Sequence, residues 1–429
     1  MTTAMHLQEP HGLQSAKCLE AQVWSFKTIT TIRPYFFNGD GGEARTYIDP
    51  LLGHTVADID LGRLFWSRQL DRSFLNGILA SGEPAPPDGI QRISRELDLQ
   101  AVRDLPKATS VLRSFFQTMP SAADLIFCFR VITRCVAIVS RAAEGLDVHL
   151  ARGIIATEYD QYRLRDILQR AAAPTNAAVG RCLEELLNGF DLDGSPKAVI
   201  IGLRNDGELH QAIILASLVK QRWRDARVVL DASGANEQFA FVEWVSLFER
   251  HRAELSKYID YFLPRQDYKA TLQVLINALV AGLRPTFADG ANAVSLAGEE
   301  AQPSFVVKPP PIGKAFSHYI DTLPVFSAAG RRTIVGRLSP AKCHWAVCKF
   351  CTINSQHLMP RGRSSPDSTY QEHFDTLLRK IRKDGVESVI LMDEALHPKV
   401  LVAFAKVLLS ARSTDSLPRS VSIHRRTHS

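Results

Sequence analysis

The sequence predicts an α/β protein with a helical N-terminal region, a doubly wound parallel-sheet domain and the start of a second β/α run. Three observations predict it. Apolar residues recur at spacings of three and four over roughly 61–189, the helical period. From 197 onward, short apolar runs rich in β-branched residues alternate with helical spacings, as in a parallel sheet covered by helices. The same alternation resumes at 332. A chain of 429 residues has room for several domains. The boundaries read as 1–45 (poorly structured), 46–192 (helical), 193–285 (doubly wound α/β), 286–330 (linker) and 331–429 (second β/α run).

Taken in order, 1–45 has weak periodicity, and Asn38-Gly39-Asp40-Gly41-Gly42 reads as a turn. Prolines at Pro84, Pro86, Pro87, Pro120 and Pro174 divide the helical region. Its most apolar stretch, 122–139, contains Asp124, Arg130 and Arg134. Each charge would cost about 2.5–3.5 kcal/mol at mid-bilayer, so a buried helix is expected there and not a membrane span. Cys128 and Cys135 share one apolar face, which core packing explains. Gly194-Ser195-Pro196 marks the change of character. Strands follow at 197–202, 227–231 and 258–263, and helices at 207–224, 239–250 and 268–281. In the first of these helices Ile214, Leu215, Leu218 and Val219 share a face.

The Pro- and Ala-rich stretch after 282, with Pro309-Pro310-Pro311, reads as a connection between domains. A strand is expected at 333–338 and a helix at 368–383, with Tyr370, Phe374, Leu377, Leu378 and Ile381 as one apolar stripe. Ser368 and Gln371 resemble a capping box, and Gly385 supplies the stop. A strand at 386–392 and a helix at 398–412, with Pro398 in its first turn, complete the run. The text at 419–429 is polar and basic, and no third strand is expected there.

The net charge of +6 is unevenly spread: 331–429 carries 17 Lys+Arg against 8 Asp+Glu, and the rest carries 34 against 37. A solvated basic face accounts for this, or an anionic cofactor or substrate. No nucleic-acid motif accompanies it, so nucleic acid is not an expected partner. Residues 1–34 lack the continuous apolar stretch of an export signal. Seven cysteines in such a chain point to a reducing, cytoplasmic setting, with no membrane as partner.

The chemistry concentrates in Cys343-His344-Trp345-Ala346-Val347-Cys348-Lys349-Phe350-Cys351, directly after an expected strand. Thiolates this close repel one another unless a soft cation holds them. Iron–sulfur clusters and zinc both meet that need. A closed structural zinc site takes four ligands, and only three cysteines are present here. His344 or His357 could supply a fourth, so zinc stays open. The loop also stands where parallel α/β folds place active sites, past the carboxyl end of a strand. The alternative to a redox centre is a non-enzymatic, zinc-stapled α/β protein that binds a partner or nucleic acid through its basic C-terminal part.

The C-x4-C-x2-C spacing, with an aromatic before the last cysteine and Trp345 two after the first, resembles the cluster loop of radical S-adenosylmethionine (radical SAM) enzymes. It is closest to those carrying an N-terminal cobalamin-binding-type domain. The order of segments over 197–412 is similar too. The resemblance implies a cobalamin-binding-like α/β domain followed by a partial (β/α) radical SAM barrel. It implies a [4Fe–4S] cluster on Cys343, Cys348 and Cys351, with S-adenosylmethionine on the remaining iron. It also implies a flavodoxin- or ferredoxin-type electron donor and a small-molecule or peptide substrate, in a methylating or peptide-modifying reaction. Phe350 would shield the cluster; read alone, it is an ordinary core aromatic. Asp393 or Glu394, in Met392-Asp393-Glu394-Ala395, would receive the S-adenosylmethionine ammonium. Read alone, they are acids favoured at a helix N-terminus ahead of Pro398.

The sequence departs from the family in three places. The two glycines usual before the strand-end acid are absent, and only two β/α units are expected after the linker, so a truncated or frame-shifted product of a longer parent is expected. The Asp-x-His-x-x-Gly pattern of histidine-ligated cobalamin domains is absent as well, since Asp206 and His210 lie four apart. His210 is therefore expected on a helix surface, and cobalamin, where it binds, without a protein histidine.

Overall fold

The structure is a computed structural model. It describes residues 21–29, 44–81, 89–114, 120–150, 153–190, 192, 194–203, 206–232, 242–264, 267, 269–287, 292–296, 304–308, 312–323, 325–328, 331–338, 369–391, 398–411 and 420–423. The chain opens with β1 (Val23–Lys27), β2 (Ala44–Ile48) and β3 (Thr55–Asp60). A helical stretch follows: α1 (Leu61–Gln69), α2 (Arg72–Ser81), α3 (Gly89–Ser114) and α4 (Ala122–Ala142). The hairpin β4 (Leu146–His149) and β5 (Gly153–Ala156) then leads to α5 (Leu164–Ala172) and α6 (Ala178–Asn188). Strand and helix then alternate: β6 (Ala198–Gly202), α7 (Leu209–Arg222), β7 (Arg227–Asp231), α8 (Val242–Arg250), α9 (Arg252–Leu255), β8 (Tyr261–Leu263) and α10 (Ala270–Val280).

A seven-stranded mixed sheet is closed by β10 (Val294–Ser295), which comes after β9 (Arg284–Phe287); the order is β10-β8-β7-β6-β1-β3-β2. Its inner strands β8, β7, β6, β1 and β3 are parallel, and β2 and β10 are antiparallel edges. Successive strand residues go to opposite faces. Trp24, Phe26, Val199, Ile201, Val228 and Leu230 pack with α7 and the N-terminal helices. Val23, Ala198, Ile200, Val229 and Leu263 pack on Leu272, Leu275, Ile276 and Leu279 of α10. Covered faces on both sides explain why β6 and β7 read as unbroken apolar runs.

Two expectations change here. Val23–Lys27 lies in the stretch expected to be poorly structured, yet β1 pairs with both β6 and β3 inside the sheet. The α/β unit expected to begin at 193 therefore draws strands from the first sixty residues. The second concerns α7, which is buried all round from Leu209 to Val219 and not on one face alone. One side meets the sheet, and the other meets α5, where Ser217 Oγ donates to the Ala171 carbonyl at 2.6 Å.

The region expected to be helical over 46–192 holds helices α1 to α6, but it also contains β2 and β3 of the larger sheet up to Asp60 and the antiparallel hairpin β4–β5, because short-range periodicity does not show strand pairing. In α4, Ser121 and Asp124 form a capping box. Arg134 reaches across to α3, donating to Asp98 and to the Ser94 carbonyl at 2.7 Å, while Arg141 donates to Asp98 at 2.5 Å. Two guanidinium groups thus satisfy one buried carboxylate. Cys128 and Cys135 are core residues, their thiol pKa values raised by burial. Among the described residues, no helix is long and apolar enough to cross a membrane.

The stretch expected as a linker carries structure of its own. Beyond β10 it forms β11 (Ser304–Val307), which pairs with β9, then α11 (Ile312–Thr322) and β12 (Phe326–Ala328). The strand β12 is the edge of a four-stranded sheet. Its other members are β13 (Arg331–Gly336), β14 (Ser388–Leu391) and β15 (Ser420–Ile423), joined through α12 (Thr369–Lys383) and α13 (Pro398–Ala411). The strands β13, β14 and β15 are parallel. All five residues of the expected stripe on α12 are buried in the core of this sheet, with Ile334, Val389, Phe404 and, from α11, Phe316 and Ile320. The Gly385 stop is as read: its φ is +57°, and Val386 N donates back to the Ile381 carbonyl at 2.9 Å. Ser368, of the expected capping box, lies outside the described residues. The third strand, β15, contradicts the reading of 419–429 as a polar end without a strand. Parallel pairing satisfies main-chain groups whatever the side chains, so Ser-Val-Ser-Ile suffices.

Candidate functional site

In parallel α/β sheets, ligands gather past the carboxyl ends of the strands. The molecule has two such edges. In the smaller sheet, Gly336 of β13, Leu391 of β14 and Ile423 of β15 stand on one rung. Cys343 follows Gly336 by seven residues, and Asp393 follows Leu391 by two. Cys343, Cys348, Phe350, Cys351, Asp393 and Glu394 themselves lie outside the described residues. Chain connectivity still bounds them, because each residue past a strand end adds at most about 3.8 Å of reach. Both segments therefore start from neighbouring strands at one edge. Among the described residues, no three His, Cys, Asp or Glu side chains are grouped to hold a metal.

At the larger sheet the chain steps from β1 to β3 on one side and later returns to β6 on the other. The reversal point lies between β1 and β6, and it is filled by the protein itself. Thr28 Oγ1 donates to Glu208 Oε2 at 3.1 Å, and both residues are buried. The amide of Gln211 brackets Ile29, accepting from its N–H and donating to its carbonyl, each at 3.1 Å. Lys27 pairs with Asp58 beside it. A Cβ on Gly62 would stand 3.0 Å from the Thr28 carbonyl oxygen, a tight contact that marks the close approach of α1 to the residues after β1.

His210 is not on a helix surface. It is fully buried in the first turn of α7, edge-on to Tyr159 with ring centroids 6.2 Å apart. Burial pulls its pKa down to about 4, and the Gly207 carbonyl opposes this in part. A neutral, enclosed ring of this kind is a core histidine.

Further along that edge, Asp231 ends β7, Asp267 follows β8, and Asn292 precedes β10; all three are buried. Asp267 Oδ2 accepts from Thr271 N at 3.0 Å at the start of α10. Burial pushes the Asp267 pKa up to about 6. The charge of Asp231 adds to the rise, and hydrogen bonds from Thr271 and Asn292 oppose it. Sequence reasoning passed over these three residues. An acid at the end of a parallel strand was the available signal for Asp231. Nothing local signals Thr28 and Glu208, which are 180 positions apart.

No protein-family model matches the chain, and no curated protein and no solved structure matches it either.

Proposed function

We propose that this chain is an iron–sulfur protein of the radical SAM type, built on the carboxyl edge of the smaller sheet. What carries the reading is a donor set of three thiols, Cys343, Cys348 and Cys351, leaving one parallel strand beside another whose end is followed by Asp393 and Glu394. The residues fit the cofactor. Three thiolates suit three irons of a [4Fe–4S] cluster and leave the fourth iron open. A carboxylate two or three residues past the neighbouring strand suits the ammonium of S-adenosylmethionine. The bound cofactors supply one-electron cleavage of a carbon–sulfur bond, starting a radical reaction on a small-molecule or peptide substrate, with the electron from a flavodoxin- or ferredoxin-type donor. The chain's share is to hold the thiolates, to orient the ammonium through Asp393 or Glu394, and to shield the centre with Phe350.

The residues at the reversal point of the larger sheet do not fit cobalamin: Thr28, Glu208 and Gln211 satisfy one another and Ile29 there, and His210 is enclosed in the core, so no step is proposed through that cofactor.

Metal analysis of the full chain, purified and reconstituted without oxygen, tests the reading. About four irons per chain and broad visible absorption are expected, with both lost in Cys348→Ala. One zinc per aerobically purified chain, with no iron uptake, would replace this reading with that of a zinc-stapled binding protein.

A further inference from the structure

We infer that the chain pairs with a second copy of itself through β2, so that the larger sheet continues across a two-fold axis. This is independent of the proposed function. The strand β2 is the outermost of that sheet, and among the described residues it pairs with β3 alone. Arg45, Thr46, Tyr47 and Ile48 are all exposed, Ile48 by 71%. Such an edge offers main-chain groups to another strand. Two of the usual devices that blunt an edge are missing: Ala-Arg-Thr-Tyr-Ile has no proline, and its register with β3 runs without a bulge. The opposite edge, β10, is only two residues long and gives a partner strand little to hold.

The phase of the ladder selects a second copy as the partner. Asp49 N donates to the His54 carbonyl at 2.9 Å, which continues the β2–β3 register by one rung. Bonded and non-bonded pairs alternate along an antiparallel ladder. Tyr47 and Arg45 therefore also turn their N–H and C=O toward β3, and Ala44, Thr46 and Ile48 turn theirs outward. A two-fold axis at Thr46 sets Thr46 against Thr46 of the second copy, and Ala44 against Ile48. Every outward group in the strand then meets an outward group in the other copy. The same axis sets Arg45 against Tyr47 of the second copy, twice over, as non-bonded pairs with Cα atoms about 4.5 Å apart. That is the spacing at which a guanidinium lies on an aromatic ring across two strands. The positive charge of Arg45 is offset by Asp58, its partner on β3. The strand is thus complementary to itself in hydrogen bonding and in side-chain chemistry, and the pairing is isologous.

Sedimentation of the full chain over a hundredfold range of concentration tests this, with a thiol reductant present throughout to exclude disulfide-linked pairs. Wild type should pass from monomer to dimer and go no further, because one two-fold contact uses up the edge. Thr46→Pro removes an outward N–H and no bond to β3, so it should abolish the dimer while circular dichroism and the urea midpoint stay close to wild type. In Tyr47→Lys the new cation stands near Asp49 and Asp58 of its own chain, which the fold tolerates, but it faces Arg45 of the second copy. The dissociation constant should rise tenfold or more. Tyr47→Phe keeps the ring and should dimerise like wild type. If Thr46→Pro does not fold, Tyr47→Lys decides alone. A wild-type chain that stays monomeric over the whole range, or a dimer that Thr46→Pro and Tyr47→Lys leave unchanged, overturns the inference.

Discussion

The two sheets use their carboxyl edges differently. In the larger sheet the edge is closed by the chain's own polar side chains: Thr28 on Glu208, Gln211 on Ile29, and Asp267 on Thr271. In the smaller sheet three parallel strands end on one rung and lead into thiols, acids and bases. The first edge shows how distant segments are locked together. The second is a short sheet on a compact apolar floor, its three parallel strands ending in register. Buried polar groups that satisfy one another help to specify a fold.

The largest effect expected on this comparison comes from the larger sheet. Asp260 is buried and accepts from Lys220 (2.8 Å), Arg227 (3.1 Å) and Val228 N (2.7 Å). Asp260→Ala removes the acceptor that Lys220, Arg227 and the Val228 amide share, so urea denaturation should show a loss of about 3–5 kcal/mol. Phe374→Ala, in the floor of the smaller sheet, should cost about as much, roughly 3–5 kcal/mol. If the two sheets are independently stable, Phe374→Ala splits the unfolding curve into two transitions; a single shifted transition would show that they unfold together.

Acidity should separate two buried groups of the larger sheet by sign. The folded-state pKa of His210 is lowered to about 4 from 6.5, so between those values the unfolded chain binds a proton that the folded one does not. Its contribution is present above pH 6.5 and is lost as pH falls through about 4. Asp267 runs the other way, raised to about 6 from 3.8, so its contribution is present below pH 3.8 and lost as pH rises through about 6. The urea midpoint of Asp267→Asn, followed from pH 4 to 7, should therefore lose a falling component and climb more steeply than wild type. A parallel pair of curves would show that Asp267 titrates normally in the fold.

Smaller effects test local geometry. Gly385→Ala places a side chain at φ +57° and should cost about 1 kcal/mol in the smaller sheet. Breaking the exposed Arg92–Glu96 pair on α3, at 3.6 Å, should change stability by less than about 0.5 kcal/mol.

Legibility followed the range of the interactions. The helices around 209–222, 270–280 and 369–383, the strands β6, β7 and β14, and the Gly385 stop were readable because burial imposes a local period or a local turn. The strand β1 was not, because five residues of mixed polarity become central only when partners 33 and 175 positions later flank them. In β15, main-chain pairing does the work that side chains would otherwise advertise. The polar closures at the larger edge were hidden for the reason that hid β1.

By itself the sequence determined the α/β class, the apolar stripes, the core placement of Cys128 and Cys135, and the presence of three thiols in one short loop. These depend on neighbours along the chain. Only the tertiary structure decided that the first sixty residues supply part of the larger sheet, that His210 is enclosed, and that a third parallel strand, β15, pairs with β14 in the smaller sheet. Strand pairing and burial on a second face bring together residues that are far apart in sequence, and no local pattern encodes them.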